Sequence, residues 1–470
     1  MGAFSGIRKA MSGSDSQLPL KSLILGRQKK DCNSLLTRLI QPTQKAARLI
    51  RSVGLVMSKY LTNKGIIVTA ENNNKFTLED ILGNKVGYRD EESIENIVNK
   101  FKLKICAKEN TNNNAFVNPS FPFSIIINDV KEYLLPAKMG LLLDLLRQIE
   151  DVSFQLVIGR QFGKEALSIY KQYNLIKVAI KEGHIDSNEY EKIVNDLRKQ
   201  DNEIANALLI MDEIARLGDL IRTEVCHSEF CLINAIYSIR KHVEVENSRS
   251  IIKSGGERIC YGFYIDSATW HFIDSIKSIS TALDSLAKLV KFIFDIDVGK
   301  LPKKKNVLFG DMKHIKNWNG SLTTNSLTLL NNQFASLKAV INFRHHVTHN
   351  SGLFHSQNSI FIGRRTPAIS NLDLIYGDLL MWDRNGDEFL TSQRTVGFFS
   401  QQNNAIEFAN EALELTVKYT ENIFRILRTN VLDKCNAAKI RELSLIRFNP
   451  NETITFSRHQ TSELQQTVIV

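Results

Sequence analysis

Hydrophobic positions recur at spacings of three and four along three long stretches, and each predicts a helix with one buried face. Over residues 265–295 the stripe is Phe272, Ile276, Ile279, Leu283, Leu286, Val290 and Ile293. A second stripe starts near Asn325 with Leu327, Leu330, Phe334, Leu337 and Ile341. A third, over about 403–430, carries Ile406, Ala409, Leu413, Thr420, Ile423 and Leu427. Between the second and third, Ile360-Phe361-Ile362, Leu379–Trp382 and Phe389–Thr391 have strand character, with Asn385-Gly386 as a hairpin turn. Long striped helices with one β insertion predict an antiparallel bundle over 254–435. The Ser254-Gly255-Gly256 stretch is its expected N-terminal boundary.

Upstream the pattern is more broken. Residues 1–30 are polar, and a helix is expected from about Ser34 to Leu61, interrupted at Pro42 and closed by Asn63 and Gly65. Ile66–Thr69, Leu103–Cys106, Phe123–Ile127 and Phe154–Ile158 are strand-like, with helical patterns near 91–102 and 136–149 and an Asn-rich loop at Asn110–Asn114. Residues 1–160 therefore predict a basic N-terminal segment and a small α+β unit. Over 161–253 the expectation is a long helical hairpin or stalk. Gly183 ends one of its helices, Asp186 and Glu189 form a capping box, and Ile193, Leu197, Ile204, Leu208, Met211 and Ala215 recur on one face. Residues 436–470 are expected to be a tail. The class is mainly α.

Composition adds little to this. Of 470 residues, 43% are hydrophobic and 23% charged, the profile of a globular protein. No apolar run has the length of a membrane span. The first residues lack a signal-peptide core, and Gly6 stands where a myristoylation signal needs Ser or Thr. A cytoplasmic protein without membrane contact is expected. The cysteines (32, 106, 226, 231, 260 and 435) show no paired CxxC spacing, and Cys226-His227…Cys231 has too few ligands for a closed zinc site. No metal and no cofactor is expected.

Charge is uneven within the net +10. Residues 1–60 hold eleven Lys or Arg against two Asp, and 298–325 hold Lys300, Lys303, Lys304, Lys305, Lys313 and Lys316 against Asp311. Such segments attract phosphate backbones by counterion release, and they also suit an acidic protein partner or plain solvent.

The chemistry emerges where the second stripe ends. Its spacing predicts 344 as the next inward position, and that residue is Arg344; His345 and His349 lie four and eight residues after Ile341. Polar groups on a core-facing stripe are costly without a partner, which could be a bound phosphate, a carboxylate or a second protomer. Attack of an RNA 2′-OH on its own phosphate needs a proton-transfer group near neutral pH, and histidine supplies one. It also needs positive charge on the phosphorane, which the planar arginine fork supplies. A histidine in the last helical turn sits at the negative end of the helix dipole, which favours its protonated form. The bland alternative pairs Arg344 with a core carboxylate and makes His349 a satisfied cap.

The stretch Phe343-Arg344-His345-His346-Val347-Thr348-His349 resembles the signature of the HEPN superfamily: Arg, a polar residue, three more residues, then His, late in a bundle helix. With the flanking helices the resemblance covers about 180 residues, and nothing before about residue 250. It implies a four-helix-bundle ribonuclease, usually a homodimer with two motifs in one cleft, of a kind common among toxins and antiviral effectors. By match, Arg344 and His349 take the catalytic positions and His345 the accessory polar one. The His-x-Tyr continuation of one HEPN variant is absent, since Ser351 occupies that place.

The expected function is thus a metal-independent endoribonuclease, with Lys303, Lys304 and Lys305 as RNA-backbone contacts. The N-terminal half would receive an antitoxin, phage trigger or other regulator. Alternatives are a non-catalytic nucleotide- or RNA-binding module and a scaffold whose basic N-terminus docks an acidic partner. The bare spacing is weak, since chance supplies roughly half a match in a chain like this one. Arg222 and His227 repeat it without the helical context and are read as coincidental. Three further candidates are weaker. Gly159–Glu165 has one residue too few for a phosphate loop, Asp383–Asp387 fits a hairpin turn better than a calcium loop, and Asp266 with His271 could face the Arg344 cleft, although Asp266 is more simply the N-cap of its helix.

Overall fold

A six-stranded antiparallel sheet precedes the helices. Its strands are β1 Ser58–Thr62, β2 Ile67–Glu71, β3 Lys75–Glu79, β4 Lys85–Tyr88, β5 Ile105–Asn110 and β6 Ala115–Val117, in the order β4-β3-β2-β1-β5-β6. The structure is a computed structural model that describes residues 58–71, 75–88, 100–110, 115–117, 124–126, 129–131, 135–160, 164–241, 252–300, 302, 307–314, 324–349, 359–367, 373–392, 396–448 and 454–460. The chain divides into Met1–Val56 and Met57–Val470, and every described residue belongs to the second unit.

Alternation builds the sheet's own core. Phe76 and Leu78 of β3 and Val86 and Tyr88 of β4 point to one side, where they meet Tyr60, Phe101, Leu103, Leu374 and Tyr376. The helix expected up to Leu61 is therefore corrected at its end. Residues 58–62 pair with β2, and Asn63-Lys64-Gly65 is a turn between strands with Gly65 at φ +75°. Asn and Gly mark helix ends and β turns alike, so the sequence signal was shared. The rest of that helix lies outside the described residues. Strands β7 Ser124–Ile126 and β8 Asp129–Lys131 form a small hairpin at the run expected near Phe123–Ile127.

Seven helices follow among the described residues: α1 Leu135–Ile158, α2 Lys164–Lys181, α3 Ser187–Gln200, α4 Asn202–Arg240, α5 Phe263–Phe294, α6 Thr324–His349 and α7 Ala405–Ala437. The expected strand Phe154–Ile158 is the last part of α1. Residues 151–158 are buried on every side, and a continuous apolar run fits a buried strand or a buried helix equally well. Without that strand the phosphate-loop candidate loses its context; Gly159, at φ +64°, ends the helix. The Asp186 box is present, with the Asp186 carboxylate accepting from the Asn188 and Glu189 N–H groups. Asp201 then caps α4, which splits the expected single stripe in two.

The expected stalk is instead central. Helix α4, about 58 Å long, packs along α5, and small residues allow the close approach. Ser228 Oγ meets Ser275 Oγ at 2.8 Å, and Ser238 Oγ meets Ser267 Oγ at 3.1 Å. Helices α1, α4, α5, α6 and α7 share one hydrophobic core. All seven stripe residues of α5 and all six of α7 are buried in it, as their spacing predicts. No described helix is long and apolar enough to cross a membrane.

One carboxyl under this packing titrates unusually. Burial raises the Glu150 carboxyl on α1 to about 7, against the pull of Lys177 and Arg147 and with a push from Asp219 and Asp212. A folded value above the unfolded one gives stability that is complete below the unfolded value and lost as pH rises through about 7. Glu150→Gln keeps the volume and removes the titration. It should match wild type near pH 5 and exceed it near pH 8.5 by about 1–3 kcal/mol in urea unfolding. A variant that is less stable at the higher pH contradicts this.

The β insertion forms a three-stranded sheet of β9 Glu257–Cys260, β10 Ser359–Pro367 and β11 Asp373–Met381, in the order β11-β10-β9. At Gly377 any Cβ would stand 1.8 Å from the Phe361 ring, so the ring occupies the space a side chain would need. Strands β12 Arg384–Asn385 and β13 Glu388–Phe389 close a hairpin one residue further on than expected: Asn385 pairs with Glu388, and the turn residues are Gly386, at φ +64°, and Asp387. Pairs β14 Thr391–Ser392 with β15 Val396–Gly397, and β16 Glu442–Phe448 with β17 Ile454–Gln460, complete the strands. The expected tail thus contains a hairpin, anchored by buried Leu443.

The expected boundary at Ser254–Gly256 is stitched into the sheet. The Gly255 N–H donates to Arg365 O, the Arg365 N–H donates to Gly256 O, and Ser254 Oγ donates to Asp373. The first sheet docks on the same region. Buried Asp80 accepts the Ile375 N–H at 3.1 Å, and Arg240 at the end of α4 binds Glu79 at 2.9 Å.

Candidate functional site

Helix α6 reaches His349 as its last residue, so Arg344, His345 and His349 lie in its final turns. The inward stripe there is Leu337, Val340 and Phe343, all essentially inaccessible, while Ile341 is only half-buried. The expectation that Arg344 continues the buried stripe is corrected: Phe343 does. Val340 and Ile341 are both apolar, so the sequence allowed two phases one residue apart. Phe343 packs against Phe272, Phe389, Trp382 and Phe408 with ring centroids at 5.3, 5.2, 5.8 and 6.2 Å. That aromatic cluster holds the end of α6 onto α5, α7 and the β insertion.

Arg344 stands at the margin of this core. Its Nη1 donates to Ser280 Oγ (3.3 Å) and to Asp284 Oδ2 (3.4 Å), both on α5. Its side chain remains 42% exposed. Asp284 is fixed from a second direction, since its Oδ1 accepts the Phe309 N–H at 2.9 Å. Phe309, in a short 3-10 turn over Phe309–His314, stacks on Phe334 of α6 at 4.8 Å. A pair this exposed contributes about 0–1 kcal/mol to stability. Its larger effect is orientation: one nitrogen is tied down, and the other guanidinium donors have no protein partner among the described residues.

The three histidines of the run differ. His345 is exposed. His346, which the sequence reading left without a role, lies edge-on to Trp382 (6.1 Å) and Phe389 (6.2 Å). Burial, helped by the neighbouring charge of His345, lowers its value below that of an ordinary histidine. His349 is placed by its backbone at the helix end. At 3.6 residues per turn, Arg344 and His349 are about 140° apart around the helix, with His345 between them.

No family model, curated protein or solved structure matches the chain. The site therefore rests on its own geometry.

The other candidates separate from it. His271 is nine residues before Ser280, half a turn round α5 and about 13 Å along it, so it does not share the Arg344 margin. Asp266 lies in the first turn of α5 but does not cap it; Gly262 holds that position. Arg222 pairs with Asp219, and His227 Nδ1 is 2.9 Å from Ser278 Oγ with Nε2 3.5 Å from Cys231 Sγ, an internal α4–α5 contact. Burial raises the Cys231 thiol to about 11, far from a reactive thiolate. Among the described residues no group of three His, Cys, Asp or Glu could hold a metal ion. Lys303, Lys304 and Lys305 lie outside the described residues. Sequence reasoning missed Ser280 and Asp284; α5 carries several other Ser, Thr, Asp and Lys residues, so their four-residue spacing gave no distinctive signal.

Proposed function

We propose that the chain is a metal-independent endoribonuclease of HEPN type, acting as a homodimer in toxin or antiviral defence. The observation that carries this reading is the Arg344 guanidinium, tethered on one nitrogen by Ser280 and Asp284 and open on the rest. It stands five residues before a histidine that ends the same bundle helix. In the proposed reaction the RNA 2′-OH attacks the adjacent phosphorus, and its proton passes to a base. The 5′-oxygen leaves with a proton from an acid, giving a 2′,3′-cyclic phosphate and a 5′-hydroxyl. His349 serves as that acid or base, with a protonated form favoured at the helix C-terminus. Arg344 neutralises the phosphorane, and His345 positions substrate. Since positions 344 and 349 are about 140° apart around one helix, a second copy facing the first would supply the complementary pair. Lys303, Lys304 and Lys305 would hold the RNA backbone in a salt-sensitive manner.

A second reading is favoured by one distance. Asp284 at 3.4 Å already offsets part of the Arg344 charge, which suits holding an RNA or nucleotide end without cutting it. Incubating the purified protein with total RNA in EDTA separates the two. The enzyme reading expects cleavage with 2′,3′-cyclic phosphate ends, lost in the Arg344→Ala/His349→Ala double variant. RNA retained but uncut, or cleavage unchanged in the folded double variant, rejects it.

A further inference from the structure

A second cleft lies where the first sheet, the β insertion and the start of α7 meet. Its volume is about 630 Å³, within the range of small-molecule sites. Its walls come from Lys100–Lys102, from Asp378 and Met381 of β11, and from the segment 400–404 that leads into α7. Neither Arg344 nor its partners line it.

The charges in this cleft are sorted. Asp378 is held by Lys64 at 3.0 Å and Arg364 at 3.2 Å, and it accepts from Asn404 Nδ2 at 2.8 Å. Glu407 and Glu411 both bind Lys104, whose ammonium burial would pull down but the two carboxylates hold above the usual lysine value. Asp378 thus has two cations and the two glutamates share one, so no described acid facing the cleft is without a cation. Lys100, Lys102 and Arg384 also line it, and none has a carboxylate partner among the described residues. The surplus in the cleft is positive.

Two further features point to a ligand with a flat, anionic character. The Arg384 guanidinium covers the buried Phe408 ring at 5.1 Å and so presents a planar cation, the kind of platform on which a nucleobase stacks. Three described residues other than glycine have positive φ, and two of them, Lys102 (φ 47°) and Gln402 (φ 53°), line this cleft. Backbone held in that region by a side-chain-bearing residue concentrates at ligand clamps. At Lys102 it aims no packing group inward, since the side chain is exposed. Gln401 and Gln402 use their carbonyl oxygens on Arg384 N–H and Arg364 Nη2, which leaves their amide N–H groups for a base edge.

We propose that this cleft binds a nucleoside phosphate, its phosphates on Lys100 and Lys102 and its base on the Arg384 guanidinium. The test is calorimetric titration of the full chain with ATP, GTP, AMP, pyrophosphate, adenosine and a poly-glutamate peptide, each to about 1 mM. At least one nucleotide should bind more tightly than both pyrophosphate and adenosine. Lys102→Gly is the diagnostic variant. Glycine adopts the left-handed backbone without strain, so its melting temperature should equal or exceed wild type while nucleotide affinity falls about tenfold. Arg384→Gln should lower affinity for nucleotides more than for pyrophosphate. The proposal fails if no nucleotide binds, if pyrophosphate or an acidic peptide binds as tightly as any nucleotide, or if both variants bind like wild type. It also fails if Arg344→Ala/His349→Ala abolishes the binding, which would place the nucleotide at the end of α6.

Discussion

Arg344→Ala is expected to slow RNA cleavage by about two to three orders of magnitude while leaving cooperative unfolding almost unchanged. The two halves of this expectation have separate physical sources. The ion pair to Asp284 is partly exposed and long, so its loss costs at most about 1 kcal/mol. In the proposed reaction, by contrast, the phosphorane gathers charge where the free donors of Arg344 face solvent. Arg344→Lys should fall between the two, because a lysine keeps the charge but loses the planar fork. Asp284→Asn gives a further check: its carbonyl oxygen can still accept the Phe309 N–H, while the charge opposite Arg344 is gone. His349→Ala should lower the rate by about two to four orders of magnitude, the usual share of general acid–base catalysis. Initial rates on a labelled RNA, taken with thermal melts of each variant, decide the matter. A folded Arg344→Ala protein that cuts at the wild-type rate removes Arg344 from the chemistry.

What the sequence disclosed depended on whether an element kept a regular apolar stripe. Helices α5 and α7 are buried over more than half of their residues, yet the spacing of one stripe on each placed every stripe residue in the core. The Asp186 box and the hairpin near Asn385-Gly386 were legible because capping and turn chemistry are local. Elements without such a stripe were not. Residues 151–158 carry no periodicity because no face of α1 there meets water, so the run looked like a strand. Helix α4 looked like a stalk, and its place in the shared core with α5 is set by tertiary contacts that include the Ser228–Ser275 and Ser238–Ser267 pairs. The Arg344 site was visible as a motif, but its phase was off by one residue, and Asp284 could be assigned to it only through the α5–α6 contact. The second cleft was invisible for a stronger reason. Lys102 and Gln402 are three hundred residues apart, and only the docking of the first sheet on β11 brings them, Asp378 and Arg384 together.

The corrected phase of α6 carries the largest stability effect. Phe343→Ala should cost about 3–5 kcal/mol, the usual cost of emptying a large aromatic site in a rigid core. Phe343 is fully inaccessible and touches rings from α5, α7 and the β insertion, so no single neighbour can move in to refill the space. Phe343→Leu keeps most of the volume and should cost about 1–2 kcal/mol. Ile341→Ala provides the contrast. Had Arg344 continued the buried stripe, Ile341 would be central and its truncation would be the costlier one; being half-buried, it should cost clearly less than Phe343→Ala. Urea midpoints of the three variants order the two phases directly, and an Ile341→Ala protein less stable than Phe343→Ala would restore the inward Arg344. The same comparison bears on function, because Phe343 fixes the turn of helix from which Arg344 projects. Loosening that turn lets the guanidinium drift from its tether, and displacements of about 1 Å cost catalysis up to a hundredfold. Phe343→Ala should therefore lose activity beyond the fraction unfolded, whereas Ile341→Ala should lose only what its stability predicts.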